Sequence, residues 1–231
     1  MKEKITLHSE IMYFIAITIL AFAVALAAST NLGVSMIVAP AYILSLKFTF
    51  LSFGQWEYVF QGCLFILFCI IMRKFKLWYL GAFLTCLIYG AVLDLFRKFI
   101  PFLNPSSTLI SNMSLAPRIL FFSIAIILTG TSLAIFFRIY LCPQVYDFFV
   151  RELCKNFNLN RTIFKTCFDA TFFLTGCILS LCFFKKFNGI GIGTLVMTLV
   201  NGSIINLCGK IFDKFFVFKP LFSKLEKFFQ K

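Results

Sequence analysis

The sequence predicts an all-α membrane protein with about six transmembrane helices. It predicts two inverted three-helix repeats, each with a non-crossing or re-entrant helix after its first span. Three observations carry that expectation. The 231-residue chain is 61% hydrophobic and 13% charged, with 34 Phe, whereas a soluble domain is about 45–50% apolar and about 25% charged. Six apolar stretches, at 11–30, 56–72, 77–96, 118–139, 167–184 and 190–209, each approach the ~20 residues that a bilayer core requires. Finally, the second three stretches repeat landmarks of the first three in the same order.

Taken from the N-terminus, residues 1–10 form a short lead of mixed charge. Residues 13–28 resemble a signal-peptide core, with small Ala25, Ala27 and Ala28 near a would-be cleavage site. A matching segment recurs in mid-chain, so this stretch reads as a retained helix. Residues 36–53 are apolar enough to pass for another span. Arg73-Lys74-Phe75-Lys76 separates the second and third spans. The polar connector 101–117, with Pro101, Pro105 and Pro117, joins the halves 11–100 and 118–210. Segment 141–165 is amphipathic and carries Asp147, Arg151, Glu152 and Lys155, so it is not expected to cross. Lys185 and Lys186 precede the last span. The tail 211–231 interleaves Phe with Lys and reads as an amphipathic helix on an anionic inner leaflet, or else as a flexible basic end.

The repeat rests on ordered matches. Asn31-Leu32 aligns with Tyr140-Leu141, Gly62-Cys63-Leu64 with Gly176-Cys177-Ile178, and Tyr89-Gly90 through Leu95 with Asn201-Gly202 through Leu207. Because 141–165 does not cross, its counterpart 32–55 is expected not to cross either. Six crossings place sixteen of the 22 Lys and Arg on the side of the N-terminus. Cytoplasmic loops are enriched in these residues, so both termini are expected in the cytoplasm. Three spans per half invert one half relative to the other, a plan that secondary transporters use with a site at the repeat interface.

Composition also excludes classes. The net charge of +13 sits between apolar stretches and in the tail, which marks membrane flanks and not a nucleic-acid surface. The nine Cys include no CxxC pair, and His8 is the only His; no metal site and no cofactor are expected. Gly189-Ile190-Gly191-Ile192-Gly193-Thr194 lacks the Lys of a phosphate loop. Without a His pair, a nucleophile motif or a paired acid cluster, the chain is not expected to be an enzyme.

Ionisable residues within spans are functional candidates by default. Here they are Glu57, Asp94, Arg138 and Asp169. Asp94 stands out because Asn206 holds its place in the other half; the pair would face each other across a repeat interface or cap helix ends. Pro40 and Pro143 open the two non-crossing segments, beside Ser35, Tyr42, Tyr146 and Asp147.

The runs Leu32-Gly33-Val34-Ser35-Met36-Ile37-Val38-Ala39-Pro40-Ala41-Tyr42, Tyr89-Gly90 with Asp94, Pro143-Gln144-Val145-Tyr146-Asp147, and Gly191-Ile192-Gly193-Thr194 with Val200-Asn201-Gly202 resemble the YitT/YczE-type group of uncharacterised bacterial membrane proteins. The resemblance covers residues 11–210. That group often carries Leu-Gly-x-Ser-Pro-x-Asp after its first helix; here Met36 and Val38 replace the Pro and Asp. The resemblance implies a bacterial inner-membrane protein and supplies no substrate.

The expected function is a small secondary carrier or permease for a small molecule or ion. Its site would lie between the halves, lined by Ser35, Asp94, Asp147, Asn201 and Asn206, with the two Asp as proton or cation partners. The alternative is a non-transporting partner or regulator of another membrane protein. The partners expected are the lipid bilayer, a solute, and a second copy or another membrane protein.

Overall fold

Helices of bilayer length account for most of the chain. In a computed structural model, which describes residues 5–229, they are α1 (Ser9–Ser29), α3 (Phe53–Met72), α4 (Leu80–Phe99), α5 (Leu115–Phe136), α7 (Arg161–Phe184) and α8 (Ile192–Phe215). A 3-10 turn at Leu77–Tyr79 runs straight into α4. These six are the segments long and apolar enough to cross a membrane among the described residues, and they overlie the six predicted stretches. Residues 1–4 of the predicted lead and 230–231 of the predicted tail lie outside the described residues.

Two shorter helices occupy the ambiguous segments, α2 (Ala39–Lys47) and α6 (Val145–Phe157). At about 1.5 Å per residue they reach about 14 and 20 Å, short of a ~30 Å hydrocarbon core. Local chemistry sets the helix starts. Ser52 caps α3 by accepting the Gln55 N–H at 3.1 Å, while the Gln55 side chain accepts the Ser52 N–H at 2.8 Å, a reciprocal capping box. Asn160 caps α7 by accepting from Thr162 and Ile163 at 3.0 and 3.2 Å. Arg73, Asn158 and Lys185, all with φ near 50°, end α3, α6 and α7 in the left-handed conformation that breaks a helix.

The hub is the α1–α5 pair. Ala16, Ala21, Ala25 and Ala125 are fully buried, and small side chains let the backbones approach until the Ser132 hydroxyl donates to the Ala16 carbonyl at 2.7 Å. Within its apolar window α1 is 61% buried, against 11% for α7 and 22% for α8, so those two helices form the rim. α4 packs on α1 and α3, and α8 packs on α5. α7 breaks the pattern: it is held by α2 and α6 and does not run packed along α8. The polar connector is no free linker, because Leu103 and Ile110 turn back into the core.

One tight turn ties the halves together. Asn31 and Gly33 adopt φ of 54° and 123°, and the Leu32 carbonyl between them accepts the Gly193 N–H at 3.1 Å at the start of α8. Arg118 at the start of α5 donates to the Thr30 carbonyl at 2.8 Å.

Both ends of the described chain meet at the opposite end of the bundle. Strand β1 (Ile5–His8) pairs in parallel with β2 (Phe216–Lys219). Glu10 accepts the Leu221 and Phe222 N–H groups at 2.9 and 3.0 Å and the Tyr140 hydroxyl at 2.5 Å. Burial, then the bonded Glu10 carboxylate, push the Tyr140 phenol above its usual range. The tail is therefore not one helix: residues 211–215 finish α8, 216–219 form β2, and only α9 (Ser223–Phe229) is a separate helix.

Candidate functional site

The divergence of α7 from α8 leaves a cavity of about 710 Å³. Its walls come from both halves of the chain: Leu20 and Val24 of α1, the turn 35–38 ahead of α2, Thr129 of α5, the start of α6, and the facing sides of α7 and α8. The lining is mainly apolar, and its charges cluster where α6 meets α7.

Capping by Asn160 starts α7 early enough to put Lys165 and Asp169 one turn apart on one face. Asp147 sits in the first turn of α6. Lys165 Nζ lies 3.0 Å from Asp147 Oδ1 and 3.3 Å from Asp169 Oδ1, so one cation bridges two carboxylates and ties α6 to α7. Gln144 and Asn201 also line the cavity, while Gln144 Nε2 and Asn201 Oδ1 are shut off from its open volume and have no hydrogen-bond partner among the described residues. The cavity thus has a charge cluster on its wall and two polar groups without partners just behind it. Such a set suits reversible binding of a small polar or charged solute, since buried polar groups gain most from a partner that completes them.

Of the five residues the sequence predicts, Ser35, Asp147 and Asn201 line this cavity. The other two lie elsewhere. Asp94 accepts the Gly54 N–H at 2.9 Å and the Ser52 hydroxyl, so it caps α3 from α4. Asn206 is exposed on α8 and does not line the cavity. Asp94→Ala is therefore expected to lower stability by about 1–2 kcal/mol, as loss of a cap does, while leaving thiol-reagent access to the cavity unchanged; thermal melting and cysteine labelling check the two halves of that expectation.

Sequence reasoning passed over Gln144, Lys165 and Thr198 as site residues. Lys165 counted as a loop charge because the fifth span was expected from 167, whereas α7 begins at Arg161. The signal available was Asn160 followed by the i, i+4 pair Lys165/Asp169.

Fold and cavity together define the class, a multi-pass integral membrane protein with six spanning-length helices, five of which line a partly polar volume. Within that class the chain belongs to the family of unknown function DUF6198, whose family model matches residues 7–210. That stretch takes in α1 to α7 and most of α8, and every residue of the cavity. No curated protein and no solved structure matches the chain.

Proposed function

We propose that this protein is a small secondary carrier whose solute, a small molecule or ion, binds in the cavity between the halves. The observation that carries the reading is one volume walled by both halves, with Asp147, Lys165 and Asp169 beside the unpartnered Gln144 and Asn201. No catalytic role is proposed for any residue.

The reading takes the two halves as an inverted repeat, and matching contacts support it. α1 packs on α4 as α5 packs on α8, and α2 packs on α7 as α6 packs on α3. The α3–α4 contact, closed by Gly54 and Gly90, has no equal between α7 and α8. In a carrier that difference is the difference between a closed and an open gate. The two short helices are read as re-entrant: Val145 at the start of α6 meets Gln61 within α3, and Ala39 at the start of α2 lies against Gly176 within α7. The resemblance to the YitT/YczE-type group and the excess of Lys and Arg at the end bearing the termini favour a bacterial inner membrane with both termini cytoplasmic.

One observation favours the partner or homodimer reading. α8 exposes Gly202, Ser203 and Asn206, and polar groups facing lipid are better satisfied by another helix.

The test uses a variant with all nine native Cys replaced. Ser35→Cys and Asn201→Cys are expected to react with a charged, membrane-impermeant thiol reagent, with Asn206→Cys silent in lipid. Protection of the first two by a solute from a screen of amino acids and small carboxylates supports the carrier. Silence at both cavity positions overturns it and favours a packed scaffold.

A further inference from the structure

One carboxyl lies behind the cavity and belongs to no part of the charge cluster. Glu57, in the second turn of α3, is 0% exposed. Its Oε2 accepts the Gln61 Nε2 at 3.0 Å and the Tyr146 hydroxyl at 3.3 Å, and its Oε1 has no hydrogen-bond partner among the described residues. The other titratable groups facing it, Cys86 and Tyr89 of α4, are neutral when protonated, and Cys86 Sγ lies 3.9 Å from the Glu57 carbonyl. No Lys or Arg pairs with it among the described residues. An isolated carboxylate taken out of water without a cation is among the most costly groups a protein can bury.

We propose that Glu57 is a dissociable proton-binding site at the seam of α3 and α6, and that its occupancy sets the position of α6. Both groups that bond the carboxyl also hold that helix. Tyr146 is part of it, and the Gln61 side-chain oxygen accepts the Val145 N–H at 3.1 Å at its first turn. Tyr146 and Asp147 line the cavity on the other side. For the Glu57 O–H bond to break, the Tyr146 hydroxyl turns its hydrogen from Oε2 towards the cavity, accepts the Glu57 proton on its oxygen and gives its own to water there. The charge left behind spreads onto Oε1, which has no donor among the described residues, and turning Gln61 or Tyr146 to serve it releases the α6 N-terminus. In the carrier reading, on which this functional consequence rests, proton and solute are thereby linked through one wall.

The proton is read by infrared spectroscopy of the full-length protein in lipid vesicles. A carboxylic-acid C=O band is expected at neutral pH that fades as the pH is raised. The band is expected to be absent in Glu57→Gln and shifted to higher frequency in Tyr146→Phe, which loses one hydrogen bond to it. If Glu57→Gln does not fold, Tyr146→Phe decides alone. A spectrum without an acid band that either variant alters overturns the proposal. The coupling is read by labelling of Ser35→Cys in the Cys-free background, normalised to Ser106→Cys in the connector. A several-fold change in relative rate across the same pH range, abolished by Glu57→Gln, supports it; an identical pH response in both proteins overturns it. The infrared band reports the proton whether or not any solute is carried, so its failure and that of the carrier reading are separate results.

Discussion

Replacing Lys165 with Met is expected to lower the stability of the folded protein by about 1–2 kcal/mol, between the scales for an exposed and a buried ion pair, because the Lys165 side chain is 32% exposed. The side chain is of similar length and stays within the cavity wall, so packing changes little. The charge changes a great deal. Asp147 and Asp169 keep only 15% and 22% side-chain exposure, and without the ammonium they repel each other across the α6–α7 contact. Each would then have to take up a proton or turn towards lipid, and both cost energy. Thermal melting in detergent is the measurement. The triple variant Lys165→Met, Asp147→Asn, Asp169→Asn removes all three charges and is expected to recover most of the loss, because no charge is left unpaired. Recovery of melting without recovery of solute protection would separate the cluster's part in holding α6 from its part in binding. A single variant that melts with the wild type would show that the bridge contributes nothing to the fold.

The second large effect is expected at Gly33. Its φ of 123° lies where side chains are rarely tolerated, and an added Cβ would run into the Thr194 side chain and the Gly191 backbone. Gly33→Ala is expected to cost on the order of 3 kcal/mol, combining backbone strain with the opening of the contact between Leu32 and Gly193. Since Ser35 follows two residues later, the variant is also expected to alter labelling at position 35. Gly202→Ala is the control. Nothing lies within 4 Å of a Cβ there, and Ala in a helix is favoured over Gly by about 1 kcal/mol. Melting shifts of equal size at the two positions would show that the turn does not lock the halves.

The six spans were legible because continuous apolar length is a one-dimensional property that a bilayer demands. The status of 141–165 was legible for the same reason, through Asp147, Arg151 and Glu152. Which face of a helix meets which neighbour is not one-dimensional, and there the sequence reached less far. Asp94 and Asn206 fall together when the two sequence runs are aligned, yet α4 has α3 beside it to cap, whereas α7 stands away from α8 and Asn206 is exposed. Lys165 looked like a flanking cation until the cap at Asn160 placed it inside a helix. Glu57 carried only the general signal of a charge within a span; what singles it out is Tyr146, 89 residues away in the chain.

The pairing of β1 with β2 bears on how the molecule is made. The first strand is synthesised before any of the spanning helices, and its partner only after the last of them. Glu10 waits 211 residues for the Leu221 amide it finally accepts. Until then its carboxylate can remain in water at the membrane surface, and it is enclosed only when the far end of the bundle arrives. The clasp can close only after the last spanning-length helix has been made, because β2 follows α8 in the chain. Two four-residue strands from the two ends of the described chain thus come together only once everything between them exists.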